Sequence, residues 1–212
     1  MRHIRKAEPD DAQLLARAIL TATRSHVRRG WFDIALSQSE DECLHFLQLL
    51  TTVRSKSQWH YSRFWIAEEG TRPAAVLSAA RAADAYPKAM AAILEALKSS
   101  GASEAERAAF WKRGQYLFAC TARPADDALV IEVSATLPEF RRRGYTSLLL
   151  ERVFEEGRTQ RLKEAFITCF IGNQLAEKAY ERAGFRFVHE RRDANFEAVA
   201  GAPGIRQFVR PL

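Results

Sequence analysis

The chain has 212 residues, of which 47% are apolar, 27% charged and 10% aromatic, a globular balance that excludes collagen-like, low-complexity and wholly disordered readings. The length fits a single domain over residues 1–212, with room for an insertion, and is tight for two. Net charge is +6 and divides evenly along the chain; its only compact basic cluster, Arg141-Arg142-Arg143, is too small a footprint for nucleic acid but suits a phosphorylated small molecule.

Residues 4–6 predict a short first strand, and Glu8-Pro9-Asp10-Asp11 then starts a helix with Leu14, Leu15, Ala18 and Ile19 at helical spacing. Ser39 with Glu42 makes a capping box, and Leu44, Leu47 and Val53 continue that helix. Residues 64–67 and 74–77 are apolar strands of a hairpin that turns at Glu68-Glu69-Gly70. A helical insertion over about 82–122 follows, with helix 88–98 stopping at Ser99-Ser100-Gly101 and a second capping box at Ser103 and Glu106. Residues 115–122 fit helix and strand equally.

Residues 128–136 predict a strand rich in β-branched side chains, followed by a Pro/Gly loop over 137–144 and a helix over 145–158. Strand 165–171, helix 173–183 and strands near 185–191 and 205–210 complete the pattern, with 193–204 as a long connection. The fold class is α+β with a mixed α/β core, a central mixed sheet flanked by helices and the helical insertion before the central strand.

No apolar run approaches the roughly 20 residues that cross a bilayer, and Met1 to Lys6 leads straight into acidic residues, so no membrane or secretory role is expected. Cys43, Cys120 and Cys169 are odd in number and far apart, which fits small core hydrophobes in a reducing, cytoplasmic setting. His3, His26, His45, His60 and His189 show no pair at helical spacing, so no metal site is expected.

The stretch Arg141-Arg142-Arg143-Gly144-Tyr145-Thr146 leaves a buried strand and enters a helix. Backbone N–H groups at such a junction converge on an anion, Gly144 permits close approach, and arginines and the hydroxyls of Thr146 and Ser147 add donors. With Leu137-Pro138 ahead of it, the stretch Arg141-x-x-Gly144-x-Thr146 resembles the cofactor loop of the GNAT superfamily of acetyl-CoA-dependent N-acetyltransferases, Q/R-x-x-G-x-G/A. A second motif of that family follows in order: Asn173 at a helix start, Tyr180 seven residues on, then Gly184-Phe185. The match covers 128–187. Thr146 departs from it, since the family has Gly or Ala there; its hydroxyl and methyl either hold the pyrophosphate further out or replace a water with a donor.

The resemblance implies acetyl-CoA as co-substrate, held by Ala135, Thr136 and Leu137 at the strand end, by Arg141, Arg142, Arg143, Gly144, Tyr145, Thr146 and Ser147 in the loop, and by Asn173 and Ala176. It implies that Tyr180 protonates the departing thiolate, where packing alone is the competing reading. Glu132 interrupts the apolar run 129–133, and strand alternation puts it on one face with Val130, Ser134 and Thr136. If it lines a cleft, desolvation raises its pKa and suits it to take a proton from an amine; an edge-facing or salt-bridged glutamate is the alternative.

In related enzymes the connection over 193–204 borders the acceptor, which marks Phe196 and Glu197, and Trp31, Phe32 and Asp33 close the same end unless they merely pack. The expected activity is acetyl transfer from acetyl-CoA to a small-molecule or peptide amine by direct attack in a ternary complex, without a metal. A non-catalytic acyl-CoA-binding module is the alternative. The acceptor and the oligomeric state, a homodimer included, stay open.

Overall fold

The computed structural model describes residues 2–121 and 123–212; Met1, and Ala122 at the end of the predicted insertion, lie outside them. Strand β1 (Arg2–Lys6) leads through a 3-10 turn at Pro9–Asp11 into helix α1 (Ala12–Arg24), which buries Leu15, Ala16, Ala18, Ile19 and Leu20. Two helices follow, α2 (Trp31–Leu36) and α3 (Glu40–Thr52). The capping box forms as expected: the Ser39 N–H donates to Glu42 at 2.9 Å and the Glu42 N–H to the Ser39 hydroxyl at 3.3 Å.

Strands β2 (Phe64–Glu69) and β3 (Arg72–Arg81) form the hairpin. Its turn lies later than Glu68-Glu69-Gly70 because both glutamates stay in β2. Glu68 is buried beneath β1, where the Arg5 Nε donates to it at 2.8 Å, and the chain reverses at Gly70 with φ 65°. Next come α4 (Ala82–Ala85), α5 (Ala89–Ser99), α6 (Glu104–Gly114) and a 3-10 stretch, Gln115–Cys120, so the ambiguous segment is neither α-helix nor strand.

Strand β4 (Ala128–Thr136), helix α7 (Tyr145–Thr159), strand β5 (Glu164–Phe170), helix α8 (Gln174–Arg182), strand β6 (Arg186–Arg192), helix α9 (Ala194–Ala200) and strand β7 (Gly204–Pro211) complete the fold. Helix α9 occupies what the sequence reads as a loop. Asp193 caps it, accepting from the Phe196 N–H at 2.8 Å, and Phe196 and Ala200, one turn apart, bury against Leu117 and Cys120. Tertiary packing makes this helix, because seven residues are too few to be helical alone.

The sheet order is β1-β2-β3-β4-β5-β7-β6, and among the described residues only β4 and β5 run parallel. One face carries Phe64, Ile66, Val76 and Val133 against α1, α3, α5 and α6; the other carries Trp65, Ala67, Leu77, Leu129 and Ile131 against α7. This is the expected mixed sheet flanked by helices. Among the described residues no helix is long and apolar enough to cross a membrane.

Two irregularities in β4 set the site. Against β3, Ser78 lies opposite Val133 and Ala79 opposite Ile131, so Glu132 is the extra residue of a β-bulge. The buried Ser78 hydroxyl fills the break by accepting from the Val133 N–H at 3.1 Å. Against β5, pairing runs from Ala128 with Glu164 only to Ile131 with Ile167, and the strands then part.

Candidate active site

Where β4 and β5 part, backbone groups on their facing edges lose their ladder partners, and a cavity of about 810 Å³ opens between the strands and reaches beneath α1, α2, α5 and the 3-10 stretch. Glu132, Ser134, Ala135 and Thr136 line it from β4; Thr168, Cys169 and Phe170 line it from β5.

The bulge, two residues of β4 facing one of β3, shifts the alternation at Glu132. Val130 and Val133, three residues apart, therefore both lie on the face opposite Leu129 and Ile131, and Glu132 lines the cavity with Ser134 and Thr136, the residues with which alternation groups it. Glu132 is left open to the cavity, with the Tyr86 hydroxyl donating to it at 3.1 Å. Glu132 keeps accessible surface on the cavity, yet protein crowds around its carboxyl, and this desolvation pushes its pKa up to about 7 against the opposing pull of the Tyr86 hydrogen bond. No cation pairs with Glu132 among the described residues.

Tyr180 reaches the same cavity from α8 on the β5 side. Its ring packs on Phe185 and Phe208, and its hydroxyl donates to the Thr168 carbonyl over a long 3.4 Å. Burial, with Cys169 and Glu132 nearby, holds its pKa above the usual tyrosine range, so it stays a proton-bearing donor. Burial also pushes the Cys169 thiol up to about 12, which leaves almost no thiolate near neutral pH.

At the other end, Arg142 and Gly144 take left-handed φ of 63° and 80° and curl the loop ahead of α7. The first N–H groups of this 15-residue helix have no intrahelical partner, and a Cβ built on Gly144 meets no protein atom within 4 Å, so the space beside the loop is open to an anion. The Thr146 hydroxyl lies 2.9 Å from that of Thr136, either of which can donate, and the bond ties the loop to the end of β4. Asn173 caps α8, accepting from the Ala176 N–H at 3.1 Å, and donates to the Ser25 hydroxyl at 2.7 Å, which joins α8 to the end of α1.

The other predicted residues divide. Arg141, Asn173 and Ala176 line the cavity with Ala135 and Thr136. Arg142, Arg143 and Ser147 are exposed outside it, with Arg143 3.4 Å from Glu69. The Leu137 and Tyr145 side chains turn into the core beside α7, and the Tyr145 hydroxyl bonds Glu69, so only their backbone is available to a ligand. Trp31, Phe32 and Phe196 line the cavity, the two phenylalanines with almost no accessible surface.

Asp33 and Glu197 do not join them. Asp33 accepts from Arg24 at 2.7 Å and from the Gly30 N–H at 2.9 Å; burial alone would raise its pKa, but these bonds hold it below the usual range. Glu197 is exposed on α9, on the side away from the buried Phe196. Conversely, Gln58, Trp59, Tyr86, Met90 and Phe118 line the cavity without having been singled out. They sit in no motif, and only the folding of distant segments brings them together.

The model of the acetyltransferase (GNAT) family matches residues 31–185, well over half of the chain. In fold, the chain is similar to an N-acetyltransferase from Staphylococcus aureus Mu50 (TM-score 0.66, 19% identity, 98% of this chain and 99% of that one). It is also similar to the ribosomal-protein-S18-alanine N-acetyltransferase from Escherichia coli (TM-score 0.54, 14% identity, 100% and 94%). A polyamine N-acetyltransferase from Drosophila melanogaster gives a TM-score of 0.58 at 18% identity over the whole of both chains. No curated protein sequence matches. The cofactor-type loop, the parted strands and the family match lead to one conclusion: the chain belongs to the GNAT acetyltransferase family.

Proposed function

We propose that this chain, acting as a single domain, transfers an acetyl group from acetyl-CoA to a primary amine by direct attack within a ternary complex. The observation that carries this reading is that Glu132 and Tyr180, on opposite lips of the β4–β5 opening, face one cavity that Arg141, Asn173 and Ala176 also line. Acetyl-CoA would supply the activated acetyl thioester. Its pyrophosphate suits the open space beside Gly144, the N–H groups that start α7 and the arginines on the rim.

Each protein group then has one task. An alkyl ammonium, with pKa about 10.4, is not nucleophilic, so Glu132 takes its proton. With a pKa near 7 its carboxylate is available at neutral pH and is a stronger base than an ordinary glutamate. Unpaired N–H groups on the open edge of β4 stabilise the developing oxyanion, and the Tyr180 hydroxyl, only weakly engaged with Thr168, protonates the leaving sulfur. Cys169 takes no part as a nucleophile, because its thiol stays protonated.

A screen of diverse amines for release of free CoA tests this reading. Turnover with at least one primary amine is expected; acetyl-CoA binding without turnover on any amine would favour the holding module instead. Acetyl-CoA at 100-fold above its Kd should raise the melting temperature by about 5–10 °C. Gly144→Val and Gly144→Asn should each lose most of that shift. Asparagine tolerates the left-handed backbone, so its effect isolates the side chain placed in that space. A full shift in both variants would put the cofactor elsewhere.

A further inference from the structure

Beside Glu132 the cavity is walled by the helical insertion, and the accessible side chains there are largely apolar. Two of the large apolar residues that the protein leaves exposed, Met90 at 54% and Phe118 at 43%, line it. Phe118 meets the half-buried Trp31 edge-on at 5.8 Å, and Met90 lies about one helical turn beyond Tyr86, whose hydroxyl donates to Glu132 at 3.1 Å. Apolar surface left open on a cavity favours a ligand that removes it from water.

Charge is sparse on this cavity. Among the described residues, the charged side chains that line it are Arg123, Asp126, Glu132 and Arg141. Arg141 belongs to the cofactor-type loop. Arg123 and Asp126, opposite in sign, precede Ala128 at the start of β4, which puts roughly 13 Å of strand between that start and Glu132.

We infer that the acceptor is a monoamine whose only charge is the amine itself and whose body is an aromatic ring or a bulky hydrocarbon that covers Met90 and Phe118. The inference rests on the proposed amine acetylation for its reaction and on the accessible lining for its substrate class. A carboxylate beside the amine would be repelled by ionised Glu132, whose side-chain partner is the neutral Tyr86 hydroxyl. A second ammonium along the chain would be desolvated against Met90 and Phe118. A short amine would leave their surface in water.

The test is kcat/KM for phenethylamine, hexylamine, ethylamine, hexamethylenediamine and phenylalanine. The better of the first two should exceed ethylamine by roughly 100-fold or more, because each methylene that fills an apolar pocket is worth about tenfold or more. It should exceed the diamine and the amino acid, which each add a charge, by roughly 10-fold or more. In the double variant Met90→Ala with Phe118→Ala, the ratio of phenethylamine to ethylamine should fall by about tenfold or more. Met90→Glu adds a carboxylate that receives a second ammonium, so the ratio of hexylamine to hexamethylenediamine should fall by about as much. Both changes are at exposed positions, and retention of the acetyl-CoA thermal shift certifies the fold.

Ethylamine, the diamine or phenylalanine matching the hydrocarbon amines, or ratios unmoved in both variants, would overturn the substrate class. If no amine releases CoA, it is the proposed reaction that fails. The substrate class then stands or falls on calorimetric Kd values for the same amines with CoA present: the same ranking supports it and equal values overturn it.

Discussion

Glu132→Gln is expected to lower kcat/KM for an amine acceptor by roughly 100-fold or more near pH 8, while leaving the acetyl-CoA thermal shift intact, because the amide keeps the size of the group but cannot take a proton. The loss has a shape in pH. Burial raises the Glu132 pKa to about 7, so below that value the wild-type carboxyl is itself protonated and its advantage over the variant fades. Toward pH 10.4 the free amine deprotonates unaided and the advantage fades again. The wild-type to variant ratio should therefore peak between about pH 7 and 9.5, measured from pH 5.5 to 10.

Stability separates the same hypothesis from a structural role. A carboxyl whose folded pKa lies above its unfolded value destabilises the fold as it ionises: the effect is absent below the unfolded value of about 4.3, grows as pH rises, and is complete above pH 7. Glu132→Gln should thus melt no lower than wild type at pH 8, whereas replacing a structural glutamate would lower the melting temperature. Tyr86→Phe removes the hydrogen bond that draws the Glu132 pKa down, so the acid limb of the wild-type profile should move to higher pH. A flat ratio for Glu132→Gln would sink the base assignment. Asp33, held ionised by Arg24, and Glu197, exposed on α9, are poor substitutes, which would leave a water chain.

Tyr180→Phe should bind acetyl-CoA almost normally and lose kcat by roughly 10- to 1,000-fold if protonation of the thiolate limits turnover. The phenylalanine keeps the ring contacts at 6.1 Å to Phe185 and 5.6 Å to Phe208, so the fold should persist and the effect should fall on rate. Only the hydroxyl is lost, with its weak bond to Thr168. Because burial keeps the tyrosine pKa above its usual range, no alkaline limb from Tyr180 should appear below pH 10 in the wild type. An unchanged kcat would return Tyr180 to core packing.

What the sequence determined by itself is what is decided within a few residues. Ser39 with Glu42 and Ser103 with Glu106 start their helices through bonds that span three positions, Asn173 caps α8 in the same way, and Gly144 supplies the left-handed turn before α7. The β-branched run of β4 and the ordered pair of motifs pointed to the family, because those signals are local.

The tertiary structure decided whatever depends on partners far along the chain. The bulge that opens Glu132 to the cavity is a matter of register against Ser78 in another strand, and its raised pKa follows from enclosure by segments such as the one carrying Tyr86. Asp33 becomes an ion-pair and capping residue only because α1 brings Arg24 to it, and Thr146 is tied down only because β4 ends at Thr136. Helix α9 exists because Phe196 finds Leu117 and Cys120, and the aromatic wall of the cavity exists because α2, α5 and the segment before β2 meet. Such contacts form when chain entropy has been overcome by packing of the whole core, so neither spacing nor composition within any one segment encodes them.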